Sequence, residues 1–199
     1  MKKIIVILIS FITCLSCQSQ EKTDLEKINF SENYKQILEN TKFKTDSREI
    51  VTTLPIAFTS ETEPFKFGDV VISDAKENTL KKSKIGVLIN NTTERNTKGL
   101  KIEVEGSSKS EELLSYLKTK YNAPKILSPV PTKNSEGKLL GNSAYLWESK
   151  NKSIILAQYY EYTNQQPTVA SVLYFVDNIF LLPETQGKLV THIVKTFSK

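Results

Sequence analysis

The chain has 199 residues, 39% hydrophobic and 25% charged, with a formal net charge of +5. That is enough apolar material for one ordinary globular core, and the scattered basic excess excludes the cationic stripe of a nucleic-acid binder. Two cysteines and one histidine leave little room for disulfide, thiol or zinc chemistry, and the seven glycines form no phosphate-binding loop.

Lys2 and Lys3 open the chain, and Ile4 to Leu15 is almost wholly apolar, broken by Ser10 and Thr13. The run suits the apolar part of a secretory signal and is short for a helix that spans a bilayer. Both cysteines lie at its end, in Cys14-Leu15-Ser16-Cys17. This tetrapeptide resembles the lipobox of bacterial lipoproteins, in which an apolar residue and two permissive positions precede the cysteine that receives lipid. Cys14 stands where such boxes usually carry Leu, and with Thr13 before it Cys14 is itself a poorer acceptor. The resemblance implies a signal peptide over residues 1–16, cleavage after Ser16, and diacylglycerol and palmitate on Cys17. A thiolate is the natural nucleophile for that thioether. Several acyl chains, at about 0.8 kcal/mol per CH₂, hold a protein where one chain does not. Lys2, Lys3 and Cys14 leave with the signal, so the remainder carries about +3 and no free thiol.

Gln18 to Asn29, "QSQEKTDLEKIN", is polar and lacks strong periodicity. Residues 17–29 therefore read as a lipidated flexible tether, with a reach of about 40 Å. The stretch "QSQEKTD" and the Lys-, Asn- and Ile-rich style resemble lipoproteins of the Bacteroidota type. That implies an extracytoplasmic place on a bacterial membrane, the outer membrane, with the bilayer itself as a partner. Residues 30–199 read as a single α+β domain.

Within that domain, "SENYKQILENTKF" predicts a first helix capped by Ser31, and "FKFGDVVIS" a short strand with Gly68 as a bulge. "KIGVLIN" predicts a strand, and the polar "NTTERNTKG" a hairpin loop. Next, Leu100, Ile102 and Val104 alternate with Lys101, Glu103 and Glu105, the pattern of a strand with one wet face. "SSKSEELLSYLKTKYNAPK" predicts a helix with a Ser108/Glu111 capping box and an apolar face of Leu113, Leu114, Leu117 and Tyr121. Asn122 and Pro124 end it. After a turn-rich connection, "SAYLWES", "SIILAQYYEYT" and "TVASVLYFVD" predict a three-strand antiparallel meander. Leu189, Val190, Ile193, Val194 and Phe197 predict a terminal helix. The fold class is α+β, a mainly antiparallel sheet of five or six strands with two or three packed helices. Residues 84–180 resemble small lipoproteins to which no activity is assigned, so this likeness carries no function.

Few residues offer chemistry. His192 is the only histidine, set off the apolar face of its helix, and it cannot supply both a triad base and a ligand set. Glu103 and Glu105 share the wet side of a strand, and Glu111 and Glu112 stand in a helix's first turn, where the helix dipole favours acids. The tight cluster Lys81, Lys82 and Lys84 reads as a solvated loop. Tyr145, Trp147, Tyr159, Tyr160 and Tyr162 are strand formers that also suit contact faces. Both faces of the last two strands are apolar, so both need cover. Any remainder left open is the expected contact surface, with Trp147 packed inward and Tyr160 and Tyr162 at the rim. The expectation is an anchored, non-enzymatic binding or assembly module without cofactor, metal or nucleic acid. Its partner is an envelope protein, a glycan or a toxin. The alternative is a carboxylate-dependent hydrolase of an envelope glycan.

Overall fold

The computed structural model describes residues 21–73, 81–128, 132–133, 135–136, 139–140, 142–163 and 166–198. Cys14 and Cys17, and with them the expected signal and lipidation site, lie outside the described residues. Thirteen strands are described. They are β1 (Thr23–Asp24), β2 (Lys44–Asp46), β3 (Ile56–Thr59), β4 (Phe65–Phe67), β5 (Val70–Val71), β6 (Lys84–Ile89) and β7 (Thr97–Val104), followed by β8 (Lys125–Ser128), β9 (Thr132–Lys133), β10 (Leu139–Leu140), β11 (Asn142–Glu148), β12 (Lys152–Thr163) and β13 (Gln166–Asp177). Helices α1 (Tyr34–Ile37), α2 (Ser107–Tyr121) and α3 (Leu189–Phe197) complete an α+β fold.

Eight strands form one antiparallel sheet in the order β2-β3-β6-β7-β13-β12-β11-β8. The meander β11-β12-β13 and the β6-β7 hairpin are as their alternation predicts. The sheet exceeds the expected five or six strands because β2, β3 and β8 join it. The segment "FKFGDVVIS" does not belong to it. Instead β4 and β5 form a hairpin in a separate small sheet with β1, which runs parallel to β4. Gly68 makes the turn of that hairpin with φ +60° and is not a bulge.

The helix starts also differ from expectation, because longer-range hydrogen bonds win over local ones. Asn33, not Ser31, caps α1 in a reciprocal box with Gln36. In α2 the cap position is Gly106 at φ +97°, so the Ser108/Glu111 box does not form. Ser107 Oγ instead accepts from Val169 N at 2.9 Å, and Ser110 Oγ donates to Val169 O at 3.0 Å. These two bonds fix the first turn of α2 to β13. Asn122, at φ +64°, ends the helix as its sequence suggests.

The central strands of the sheet are buried on both faces, each under different cover. On one side Leu113 and Leu117 of α2, with Leu25, Ile37, Phe65 and Phe67, pack on Ile85, Leu100, Ile102, Ile154, Leu156, Leu173 and Phe175. Phe67 meets Phe175 edge-on at 5.5 Å between ring centroids. On the other side Leu189, Val190, Ile193 and Phe197 of α3, with Leu54 and Leu182, pack on Leu88, Ile155, Ala157, Tyr174 and Val176.

Residues 23–28, expected within the tether, are part of the folded domain. From Thr23 the chain is paired, a 3₁₀ turn follows at Leu25–Lys27, and Leu25 and Ile28 are buried. Apolar Leu25 and Ile28 supply the reason, hidden in a polar stretch. The buried Glu26 carboxylate accepts from Tyr116 OH at 2.8 Å and Lys120 Nζ at 2.6 Å, and also from Tyr121 OH. Burial pushes its pKa up, but hydrogen bonds from Lys120, Tyr121 and Tyr116 outweigh that and leave it below the ordinary carboxylate value. Asp24 Oδ1 accepts from Gly68 N at 2.9 Å. A Cβ at Gly68 would lie 1.7 Å from Tyr116 Oη, so this turn needs glycine for space as well as for φ.

Two outcomes are expected. Gly68→Ala should lower the unfolding free energy by about 2–3 kcal/mol, from left-handed strain plus the displaced phenol; a denaturant midpoint equal to the parent's would refute the close approach. Because the Glu26 pKa is lowered on folding, its contribution is whole above the ordinary glutamate value of about 4.3 and is lost as pH falls through the folded value. Glu26→Gln should therefore be less stable at pH 7 and lose stability less steeply on acidification, as read by thermal melts from pH 6 to pH 3.

Candidate functional site

Helix α3 leaves part of its face of the sheet open. The strands there carry polar side chains where the core strands carry apolar ones, and a groove of about 610 Å³ results. Its floor and walls include Lys101 and Glu103 of β7, Tyr159 of β12, Val172 and Tyr174 of β13, and Phe197 of α3. A second hollow of about 200 Å³, lined by Asp46, Arg48, Ile50 and Phe58, shares Lys84, Lys101 and Glu103 with it. Ile50, 93% exposed, stands at this lip.

At the junction is a charged cluster. Lys101 Nζ lies 3.1 Å from Glu49 Oε1 and 3.1 Å from Glu103 Oε1. Glu49 is buried, and its carboxylate also accepts from Thr52 N at 2.7 Å and from Tyr174 OH at 3.3 Å. Burial pushes the Lys101 ammonium pKa down, but Glu49 and Glu103 reverse this and carry it above the ordinary lysine value. Burial pushes the Tyr174 phenol up, and the Glu49 charge adds to the effect. Tyr159 is raised by burial, with Lys101 acting against it. At neutral pH the cluster therefore holds a fixed cation and two neutral phenols.

Sequence reasoning missed Glu49, because it comes from the irregular segment before β3 and meets Lys101 across a separation of 52 residues. The one available signal was Tyr174, a phenol on a strand whose neighbouring positions are apolar; Lys101 shares its face with Glu103 and reads as part of a wet face. Glu103 and Glu105 depart from the simple wet-face expectation: Glu103 is ion-paired with Lys101, and Glu105 is buried.

Tyr160 lines the end of the groove. Strand alternation directs its side chain to the α2 side, where Gln158 Nε2 donates to Ser110 O of that helix. Burial raises the Tyr160 pKa, with Tyr145, Tyr162 and Glu111 adding to it. Tyr162 shares that side, is half-buried and does not line the groove. Trp147 is packed inward, and its Nε1 donates to Asn122 O at 2.9 Å. Glu112 is paired with Lys109 at 2.7 Å on the exposed flank of α2. His192 is half-exposed on α3, off the buried Leu189/Ile193/Phe197 face.

Among the described residues, no group of three or more His, Cys, Asp or Glu side chains is gathered to hold a metal. No described helix is long and apolar enough to cross a membrane. Compared with protein-family models, curated proteins and solved structures, the chain matches none.

The packing predicts a split among the aromatic residues. Trp147→Ala should cost about 3–5 kcal/mol as a large-to-small core change. Tyr160→Ala and Tyr162→Ala, at half-buried positions, should each cost less than about 1.5 kcal/mol. Denaturant midpoints for the three variants decide it: equal losses would place both tyrosines in the core.

Proposed function

We propose that this protein is a bacterial envelope lipoprotein, anchored in the outer membrane through Cys17, whose single α+β domain binds a protein partner along the charged groove without catalysing a reaction. The anchor rests on the Cys14-Leu15-Ser16-Cys17 box and the apolar run before it. The domain's role rests on Lys101. An acid–base hydrolase needs two carboxylates kept apart in proton affinity, one to donate and one to accept. Asp46, Glu49, Glu103 and Glu105 line the two hollows, and the pair at their junction, Glu49 and Glu103, both bind the same ammonium at 3.1 Å, which suits a fixed charge pattern more than proton transfer. Such a pattern, with both signs beside Tyr159 and Tyr174, complements a peptide segment that carries both signs.

The short leader adds a geometric condition. Among the described residues paired structure begins at Thr23, and the six-residue step from Cys17 to β1 spans at most about 20 Å. A partner must then be reached within that distance of the bilayer, which points to another envelope protein.

The test has two arms. Metabolic labelling with a palmitate analogue should mark the parent and Cys14→Ser but not Cys17→Ser; label that persists in Cys17→Ser removes the anchor. A photo-crosslinking amino acid at Lys84, in the groove, should give a discrete adduct in intact cells, whereas one at the exposed Lys188 should not. Equal patterns at the two positions would remove the groove as the contact surface.

A further inference from the structure

At the opposite end of the sheet from the charged groove, the C-terminal end of α2 overhangs β11 and β12 and leaves a pocket of about 290 Å³. Its walls are aromatic and aliphatic: Trp147, Tyr121, Phe175 and Ile154. All four belong to the core under α2 or pack directly on it, so the walls are set by the fold before any ligand arrives. Trp147 is further fixed by its bond to Asn122 O.

Two lysines line this pocket, Lys125 at the start of β8 and Lys152 at the start of β12. Lys152 Nζ sits 5.1 Å over the Phe175 ring, which holds it at the mouth. Neither lysine has an ion-pair partner among the described residues. Glu148 also lines the pocket, so its net charge is +1. The partial negative charge at the end of α2 does not require these cations, because Lys118 and Lys120 already stand in its last turn. An apolar, preformed hollow with unpaired positive charge at its mouth is suited to an amphipathic anion. The volume lies at the small end of ligand pockets, about 300–1,000 Å³. It fits one ring with a short acid arm, not a drug-sized molecule.

We propose that this pocket is a binding site for a small aromatic or ring-sized apolar carboxylate, its ring against Trp147 and Phe175 and its carboxylate between Lys125 and Lys152. The site is separate from the charged groove and does not depend on what binds there.

The chain has one tryptophan, so intrinsic fluorescence reports on Trp147 alone. The full chain in detergent is titrated with 3-phenylpropionate, 3-phenylpropan-1-ol and 3-phenylpropylamine, which differ in charge and share a ring. The acid should change the emission saturably below millimolar concentration, the alcohol at least tenfold more weakly, and the amine not at all in that range. Lys125→Gln with Lys152→Gln should weaken the acid about tenfold and leave the alcohol unchanged. Ala123→Phe, at an exposed lining position, should fill the pocket and abolish both responses, whereas Lys84→Gln in the groove should change neither. An acid that gives no saturable change overturns the proposal. So does an acid that titrates like the amine, or one indifferent to the two lysine substitutions.

Discussion

Strands β12 and β13 place Ile154, Leu156, Leu173 and Phe175 on one side and Ile155, Ala157, Tyr174 and Val176 on the other. Water is therefore unwelcome on both faces at the centre of the sheet, and every other element is arranged to keep it out. Cover is limited by geometry. Eight strands about 4.8 Å apart make a sheet about 34 Å across, whereas a nine-residue helix is about 14 Å long and 10 Å wide. On the first face α2 is joined by α1, the 3₁₀ turn and the β4-β5 hairpin. On the second, α3 has only the segments around Leu54 and Leu182 beside it. The charged groove lies where that cover runs out, and the strands there have exchanged apolar side chains for Lys101 and Glu103.

A common device secures cover on both faces. Glu26 joins the first segment of the domain to α2 through Tyr116, Lys120 and Tyr121. Glu49 joins the segment before β3 to β7 and β13 through Lys101 and Tyr174. In each case a buried carboxylate takes several donors, which offsets the cost of removing its charge from water. Apolar contact alone would let these short irregular segments slide. A carboxylate with three or more donors at fixed positions sets their register.

Five strands of the large sheet were legible because each carries a run of apolar or alternating residues bounded by turn signals. The three that were not have physical reasons to be silent. All three residues of β2 are exposed, so it has no pattern to show. Strand β3 has four residues and follows Pro55, and β8 has four residues directly after a helix stop, with Ile126 63% exposed at the sheet edge. Edge strands are specified by the neighbour they pair with more than by their own periodicity. The helix caps failed for a related reason. Ser107 and Ser110 are placed by Val169, some sixty residues away, and no local motif can announce that. The inward packing of Trp147 was legible from its place in the meander. The ion triad was not, because its buried member, Glu49, sits in a stretch with no regular pattern.

The parallel pairing of β1 with β4 has a mechanical meaning. Tension applied at the N-terminal side enters the domain at the bond from Thr23 N to Pro64 O, passes to the Asp24–Gly68 bond, and then reaches the Glu26 clasp. These attachments follow one another along the chain, so they are loaded in sequence and give way singly. The eight-stranded sheet shares no strand with that path. A tug would strip off the first few residues while the eight-stranded sheet kept its strands, and the pocket beside α2 would feel it first, because the clasp holds Tyr121, one of its walls.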